Sequence, residues 1–405
     1  MHRVNKTFLT SLLLGMILSL PITPNAQVEF KGIDDDDTEL LGKRRAPRMI
    51  RTGMPLLTIA PDARGGAMGD VGAASTPDIV SINYNAAKYA FIKQDFGASL
   101  SYSPWLRQLI NDINLTYLSG YYKINHRNIV AASLRYFSLG SITFYGIDAE
   151  DRGTFKPNEF AIDLAYVMKL SENFSASVTG RYIRSDLTQG QNVENQPTHA
   201  ANSGAADLAV YYQKDIGQKK YADQLALGAQ ISNLGAKISY SDGLDKLFLP
   251  ANLRIGGRYT INPDEHNKVS FMLDINKLLV PTPPICDSAG KVIRGKSSDV
   301  GVFQGAIQSF YDAPDGLREE FQEMMFSLGV EYWYSNMVAG RAGYFYESLE
   351  KGGRQYVTLG AALRFNVLTL DISYLFATTR AGNALSKTLR LTLGFEMGKM
   401  SSKKY

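Results

Sequence analysis

The stretch "EFAIDLAYVM", residues 159–168, places a large apolar side chain at every second position, from Phe160 to Met168. A period of two is that of a β-strand with one apolar and one polar face. The same alternation occurs in "DFGASLSY" from Asp95, in "FSASVTGRY" from Phe174 and in "TLRLTLGFEM" from Thr388. The pattern predicts an all-β fold.

Strands of this kind are predicted along most of the chain. The fourteen segments are 95–102, 113–123, 128–147, 158–168, 173–185, 205–214, 222–232, 250–262, 267–277, 325–334, 336–347, 354–366, 367–378 and 387–397. The third is long and is expected to bend at Gly140. Short links such as "INHRN", "LSEN", "NPDEH" and "SN" alternate with long ones, of which 278–324 is the longest. Links that are short at one end of the strands and long at the other are typical of outer-membrane barrels.

Charged residues within these strands fall on the register opposite to the large apolar residues. They are Arg135, Glu159, Asp163, Arg181, Asp207, Arg254, Arg258, Asp274, Glu331, Arg341, Arg364, Asp371 and Arg390. In a transmembrane barrel this parity puts them all in the lumen and none in lipid, where a midplane Arg costs about 2–4 kcal/mol. Charges of both signs favour an internal salt-bridge network over a single-sign ion pore. A soluble β-sandwich alternates in the same way, so parity alone leaves both folds open.

The N-terminus points to the cell envelope. Arg3 and Lys6 precede the apolar run 8–20, and "PNAQ" offers a cleavage site after Ala26, so residues 1–26 are predicted to be a secretory signal peptide. A buried N-terminal helix is the alternative. Export, an even strand count and unequal links together favour a fourteen-stranded antiparallel transmembrane β-barrel at 95–397, with residues 398–405 as a periplasmic tail. A net charge of only +4 gives no indication of a nucleic-acid partner.

Residues 27–53 are polar and include the run "DDDD" at 34–37. Four consecutive carboxylates lack the alternating spacing of a calcium loop, so a flexible charged leader is predicted. The stretch "PDARGGAMGDVGAAS", residues 61–75, is rich in glycine and alanine. It does not fit a phosphate-binding loop, because no Lys-Ser/Thr follows it and no βαβ unit surrounds it.

The residues that carry catalysis and metal binding in other proteins are sparse. His126 and His266 lie in short links and are expected to be turn residues, while His199 lies in the long link 186–204 without a nucleophile motif. No Cys/His cluster has metal-ligand spacing. We therefore predict no catalytic residue, no cofactor and no metal, and a protein that is not an enzyme.

The link 278–324 is long enough to have a role of its own. It ends in "APDGLREEFQEMMFSL", which predicts an amphipathic helix with Leu317, Phe321, Met324 and Met325 on one face, Glu319, Glu320 and Glu323 opposite, and Asp315 as the N-cap. Phe303, Ile307, Phe310 and Tyr311 form a second apolar group before it. Either the loop closes over its own barrel mouth or it docks another protein. These four residues, with Trp105 in the link 103–112, are the candidate docking residues.

Several motifs together resemble one known family. "APDARGGAMGDVGAAS", "INYNAAKYAF", "SNLGAKISY", "LPANLRIGGRY", "LDINKLLVPT" and "SLGVEYWYSNMVAGRAGYFYE" are similar to the PorV (LptO) outer-membrane proteins of the type IX secretion system, within the wider FadL-like barrel group. The resemblance implies a fourteen-stranded barrel whose N-terminal segment enters the lumen. We call residues 54–94 the hatch.

Within the hatch, the small residues suit a backbone threaded into a narrow, charged lumen. The candidate structural residues are Asp62, Arg64, Gly65, Gly66, Gly69 and Asn85, and Asp62 and Arg64 are expected to pair with lumen charges. FadL-like barrels often have Asn-Pro-Ala where this chain has Asn85-Ala86-Ala87, so the helix start there is expected to be less sharply fixed.

The resemblance also implies a function. Members of the family bind the C-terminal signal domains of secreted cargo at the SprA (Sov) translocon and pass the cargo to a PorU-containing attachment complex, which joins it to lipopolysaccharide. The expected partners are these proteins and the lipid and lipopolysaccharide of the outer membrane. Two alternatives stay open: a FadL-like transporter of hydrophobic small molecules, and a lipopolysaccharide O-deacylase, for which His199 would be required.

Overall fold

The computed structural model describes residues 49–104, 112–145, 151–191, 197–217, 221–241, 246–287, 290–378 and 388–398. The predicted signal peptide, most of the predicted leader, Trp105 and the tail beyond residue 398 lie outside the described residues.

Fourteen strands close into a barrel, which confirms the predicted fold class. They are β1 Phe96–Pro104, β2 Asn114–Lys123, β3 Asn128–Ser138, β6 Asn158–Lys169, β7 Phe174–Asp186, β8 Ala201–Ile216, β9 Asp223–Gly235, β10 Asn252–Ile261, β11 Asn267–Leu278, β14 Met324–Tyr334, β15 Val338–Tyr346, β16 Gln355–Phe365, β17 Leu368–Ala377 and β18 Leu389–Met397. Each pairs antiparallel with the next, and β18 closes the ring on β1, with Leu393 opposite Leu100. Closure leaves no unpaired barrel edge, as a spanning sheet requires.

Two small hairpins lie outside this ring. One pairs β4 Ile142–Tyr145 with β5 Asp151–Phe155, and the other pairs β12 Ile285–Cys286 with β13 Val292–Arg294. The first corrects the predicted long third strand, because β3 ends at Ser138. Gly140 adopts the left-handed backbone conformation (φ 79°), which a glycine accepts without strain, and the chain there leaves the ring.

The two faces of each barrel strand differ sharply. Leu164 is 66% exposed on the outside, whereas its neighbour Asp163 is 3% exposed inside. All thirteen charged strand residues named above face the lumen side, where they are buried or half-buried. A surface of exposed leucines and valines around a charged interior is stable in hydrocarbon rather than in water.

Tyrosines mark both ends of the apolar outer surface. At the end with short links, the Tyr166, Tyr259 and Tyr332 hydroxyls donate to Asn128, Asp223 and Asn267 at 2.8, 3.1 and 2.6 Å. At the opposite end Tyr182 donates to Asn202 at 2.8 Å. Amphipathic rings at both levels are the aromatic girdles of a membrane barrel. We call the two ends the turn end and the loop end. Within the described part of the chain, no helix is long and apolar enough to cross a membrane.

The hatch lies inside the ring and is built from very short helices. These are three 3-10 helices, Pro55–Thr58, Ile79–Asn83 and Ala86–Phe91, and α1 Ala63–Gly66. Most residues from Met54 to Ile92 are buried. On the wall side their apolar contacts include Tyr117, Ile129 and Val167 of β2, β3 and β6. Two further helices, α2 Val302–Gln308 and α3 Leu317–Gln322, belong to the long loop between β11 and β14.

Candidate functional site: the plugged lumen and the long loop

Arg64 joins the hatch to the barrel wall through a chain of buried charges. Its guanidinium donates to Glu331 of β14 at 2.9 and 3.1 Å and to Asp78 of the hatch at 2.6 Å. Glu331 also accepts from Arg341 at 2.7 Å, and Arg341 donates to Asp371 at 2.6 Å. Alternating signs satisfy each charge where water is excluded. Arg64, which was expected to pair with a lumen charge, lies against Glu331 in this geometry.

Asp62 does not pair with the wall in the same way. Its carboxylate accepts the Gly65 backbone N–H at 2.7 Å and the Tyr84 hydroxyl at 2.8 Å. It is therefore the N-cap of α1. The expected pairing of Asp62 with a wall charge is replaced by bonds within the hatch, because α1 begins one residue later and its free N–H groups lie closest to that carboxylate.

The wall supplies acceptors for hatch N–H groups. Asp274 accepts from Gly72 and Ala73 at 2.7 and 2.8 Å, and Thr358 accepts from Gly69 at 2.9 Å. Thr392 of the last strand accepts from Ala63 at 2.9 Å. An irregular segment inside a membrane barrel needs such partners, since each unpaired buried N–H is costly.

The wall also supplies donors for hatch carbonyls. Arg135 donates to the Leu56 carbonyl at 3.0 Å, and Arg258 donates to the Ala74 carbonyl at 3.0 Å. The lumen arginines thus serve two purposes, ion pairing with wall acids and capping of hatch backbone. Arg181 serves the first purpose, because it forms ion pairs with Asp163 at 2.5 Å and with Asp207 at 3.1 Å.

The hatch glycines lie where no side chain fits. A Cβ at Gly65 would overlap the Tyr84 ring, and one at Gly66 would overlap the Arg390 guanidinium. Gly69 has φ 66° and would bring a Cβ within 2.6 Å of the Tyr344 carbonyl oxygen. The wall has a complementary glycine, Gly343, whose added Cβ would overlap the backbone at Met68 and Gly69. Backbone therefore packs directly on backbone between hatch and β15.

Asn85 caps the last hatch helix and bonds it to its surroundings. Its side-chain oxygen accepts the Ala87 N–H at 3.0 Å, and its amide donates to the Ala73 and Val210 carbonyls, each at 2.9 Å. The asparagine cap is thus present without a proline at the next position.

Little open space remains between hatch and wall at two interior cavities. They measure about 60 and 40 Å³. The first is lined by Leu57, Asn83 and Arg254 among others, and the second by Arg364 and Glu396 among others. Each has room for only a few water molecules.

The helix α2 presents its apolar side outward. Phe303 and Ile307 are 72% and 65% exposed, and Phe310 and Tyr311 beyond the helix are also exposed. The buried residues of α2 are Gly305 and Gln308, and a Cβ added at Gly305 would lie 3.0 Å from Phe248 and Pro281. The four candidate docking residues that the structure describes thus form one exposed stripe at i, i+4, i+7 and i+8.

The helix α3 corrects its prediction in three ways. It begins after Gly316 rather than Asp315, whose carboxylate instead pairs with Arg294 at 2.9 Å. Met324 and Met325 start β14 and are not helical. Leu317 and Phe321 are exposed, whereas the glutamates expected on the solvent side are buried.

Those glutamates are held by two buried lysines. Lys277 donates to Glu320 and Glu323 at 3.0 and 2.7 Å, and Lys351 donates to Glu319 and Glu323 at 2.7 and 2.9 Å. Lys277 lies next to the end of β11 at Leu278, and Lys351 lies in the loop between β15 and β16. The cluster therefore ties α3 to two other segments and leaves its apolar side on the outside. Sequence reasoning missed both lysines, since their glutamate partners lie 28–46 positions away in the chain.

Asp312 lies beside this cluster, between the two loop helices. It accepts from the Thr282 N–H at 3.2 Å and from the Gln308 amide at 3.4 Å. Burial raises the pKa of Asp312 to about 6, and Glu320 and Glu323 nearby act in the same direction.

The three histidines in the described part of the chain lie in links between strands. The His266 ring contacts the Ser335 hydroxyl at 3.1 Å in adjoining turns, and His126 is exposed in the β2–β3 turn. The His199 ring lies 3.3 Å from the Ala200 carbonyl oxygen. Among the residues that the structure describes, no three His, Cys, Asp or Glu side chains are placed to hold a metal ion.

Comparison with known proteins places the chain among outer-membrane barrels. The model of the family described as type IX secretion system protein PorV matches residues 42–285. The toluene transporter TbuX of Ralstonia pickettii is 12% identical, with 84% of this chain and 98% of TbuX covered and a TM-score of 0.47. The toluene transporter TodX of Pseudomonas putida is 12% identical, with 86% and 98% covered and a TM-score of 0.47. A FadL homologue of Pseudomonas aeruginosa is 12% identical, with 87% and 100% covered and a TM-score of 0.43. No curated protein matches the chain.

Proposed function

Because the chain belongs to the family of the type IX secretion system protein PorV, we propose that it receives secreted cargo at the translocon and passes it to the attachment complex. The chain is an integral outer-membrane β-barrel of that secretion system. In the proposed orientation the turn end faces the periplasm and the loop end faces the cell exterior. The proposed role is one of binding and handover, without a catalytic step.

The outward apolar side of the two loop helices supports this proposal most strongly. Phe303, Ile307, Leu317 and Phe321 are all more than half exposed, although a helix in a loop normally turns such residues inward. The buried Lys277 and Lys351 contacts hold α3 in this reversed orientation. Exposed apolar groups that are fixed in place mark a surface for another protein.

We assign this surface to the SprA (Sov) translocon and to cargo that leaves it. The C-terminal signal domain of the cargo and the PorU-containing complex are the further partners in this proposal, with lipopolysaccharide as the acceptor to which that complex attaches cargo. Family membership supports these assignments, and the chain offers an exposed apolar stripe of the kind that protein partners bind.

The test is a double substitution, Phe303→Asp with Ile307→Asp, in the tagged full-length protein. The variant is expected to insert as a barrel but to lose the translocon in pull-downs from membranes, with and without stalled cargo, and to lose secretion. Leu349→Asp, exposed in the loop between β15 and β16, is the matched control and is expected to behave as wild type. Unchanged association and secretion in the double variant would remove the docking role of α2.

Transport of hydrophobic small molecules is the weaker candidate. The hatch is bonded to β3, β10, β11, β14, β16 and β18, and the cavities beside it hold only a few waters. A resident hatch of this kind gives no support to a passage for ligands. Loss of uptake of a hydrocarbon in a deletion strain, with secretion intact, would favour this alternative.

A further inference from the structure

Asp312 is a buried carboxyl group of the long loop with one unbonded oxygen. It is 1% exposed and lies between α2 and α3. Its Oδ2 atom accepts the two long bonds from Thr282 and Gln308, at 3.2 and 3.4 Å. In the part of the chain that the structure describes, no donor lies within hydrogen-bond reach of Oδ1. A buried acceptor without a partner is costly, and the cost is larger when the carboxyl group carries a charge.

Two glutamates of α3 lie beside this carboxyl group. Thr282, which donates its N–H to Asp312, donates its hydroxyl to Glu323 at 2.5 Å. Ala313, the next residue in the chain, donates its N–H to Glu320 at 2.9 Å. Neighbouring like charges disfavour the ionised form of a carboxyl group. Asp312 therefore lies in surroundings that favour its protonated form.

Two cations at the end of the β12–β13 hairpin are held by other groups. Arg294 and Lys296 lie on either side of a glycine whose added Cβ would be 3.1 Å from the Asp312 carbonyl oxygen. Arg294 pairs with Asp315 at 2.9 Å, and the Lys296 ammonium lies 3.7 Å from the centre of the Tyr311 ring. Both cations are thus near Asp312 but bonded elsewhere.

The charges of the buried cluster around Asp312 are not balanced. Neither α2 nor the segment 279–286 contains a charged residue. Four carboxyl groups share two ammonium groups; they are Asp312, Glu319, Glu320 and Glu323, with Lys277 and Lys351. The three glutamates accept the bonds of both lysines. One proton on Asp312 lowers the excess negative charge of the cluster from two charges to one.

Burial raises the pKa of Asp312 to about 6 from its ordinary value of 3.8. The packed loop therefore binds this proton more tightly than an opened loop, in which Asp312 is in water. The resulting stabilisation is fully present below pH 3.8 and is lost as the pH rises through about 6. Between about pH 5 and about pH 7.5, these two pKa values correspond to a rise of about tenfold in the opened fraction.

We propose that α2, α3 and the segment between them form a pH-responsive element, with Asp312 as the group that gains or loses the proton. When Asp312 is protonated, both helices stay packed around it and the apolar side of α3 stays outward. When Asp312 is ionised, water must reach its free oxygen, and the packing opens more often. The element thereby regulates how firmly the apolar stripe is presented to a partner, a consequence that rests on the proposed function.

The test is hydrogen–deuterium exchange of the full-length mature barrel without partners, at about pH 5 and about pH 7.5. Rates are corrected for the intrinsic effect of pH with unfolded peptides of the same sequence. In peptides that cover residues 305–323, the wild type is expected to open about tenfold more often at the higher pH. Asp312→Asn has the same shape and no charge, so its opening is expected to stay low and equal at both values.

Asp299→Asn is the matched control, since Asp299 is an exposed acid of the same loop, and it is expected to respond to pH as the wild type does. The proposal fails if the wild type opens equally at both pH values, a comparison that needs no substitution. It also fails if Asp312→Asn keeps the wild-type response or if Asp299→Asn loses it. Because no partner is present, the result is separate from the docking role, which the Phe303→Asp, Ile307→Asp variant decides.

Discussion

At the scale of single residues, Glu331 is the wall group on which the hatch most depends. It lies between Arg64 of the hatch and Arg341 of β15, with bonds to both of 3.1 Å or less. All three side chains are almost fully buried. Removing the carboxylate leaves two guanidinium groups with half of their charge partners, in surroundings where water does not replace them.

We expect Glu331→Gln to lower the free energy of unfolding by about 3–5 kcal/mol, the usual cost of breaking a buried ion pair from one side. Urea titration in lipid vesicles, followed by heat-modifiable gel migration, measures this quantity. Glu172→Gln in the exposed β6–β7 turn is the control and is expected to change little. Equal stability of the two variants would show that the Arg64 contact does not hold the hatch.

Residue parity in the sequence was enough to predict which side chains face the lumen, but not which of them meet. Alternation fixes the face of a strand, so Glu331 and Arg341 were correctly placed inside. The partner of Arg64 is 267 positions away in the chain, and only the closed ring and the path of the hatch bring the two together. The prediction for Asp62 failed for a different reason, since the donors that its carboxylate meets are local and belong to the hatch itself.

At the scale of elements, α3 shows where a periodic pattern misleads. The sequence places its leucine and phenylalanine on one face and its glutamates on the other, and a soluble helix would bury the first set. Lys277 and Lys351 reverse this by meeting the glutamates from two separate segments. A helix of six residues contributes little from its own periodicity, so its surroundings decide which face is buried.

The contact between hatch and β15 gives a prediction at this scale. Gly343→Ala puts a methyl group where Met68 and Gly69 lie, so the hatch backbone must move. We expect faster hydrogen–deuterium exchange in peptides that cover residues 66–73, because the Gly69, Gly72 and Ala73 bonds to the wall weaken. Gly340→Ala on the lipid-facing side of the same strand, with open space around it, is the matched control. Equal exchange in both variants would contradict direct packing of hatch on wall.

At the scale of the whole molecule, the sequence was sufficient for the barrel. Its fourteen strands follow from alternation and from links of unequal length, and the ends differ from the predicted ones by a few residues, as at β8. The path of the hatch did not follow from any pattern, because its segments are too short for a period and its bonds run to strands across the whole ring. The resemblance to a family implied only that the N-terminal segment enters the lumen.

The filled lumen gives a prediction for the molecule in a bilayer. We expect the wild type to show no steady conductance in planar membranes, since the hatch fills the ring. Deletion of residues 54–94 is expected to open a pore with weak ion selectivity, because the lumen wall carries charges of both signs. Deletion of residues 297–312, in the loop, is the control and is expected to show no steady conductance. A conducting wild type would mean that the hatch is mobile on the timescale of the recording.

The bond between Ala63 and Thr392 links the beginning of the folded chain to its end. The hatch is the first part of this unit to be made, and β18, which carries Thr392, is the last strand and the one that seals the ring against β1. The hatch is also bonded to five strands that precede β18 in the chain, β3, β10, β11, β14 and β16. We therefore expect the hatch to be in place before β18 pairs with β1, so that the barrel closes around its own N-terminal segment. If β18 paired with β1 before the hatch had entered, the result would be a barrel with an empty lumen and the hatch left outside it.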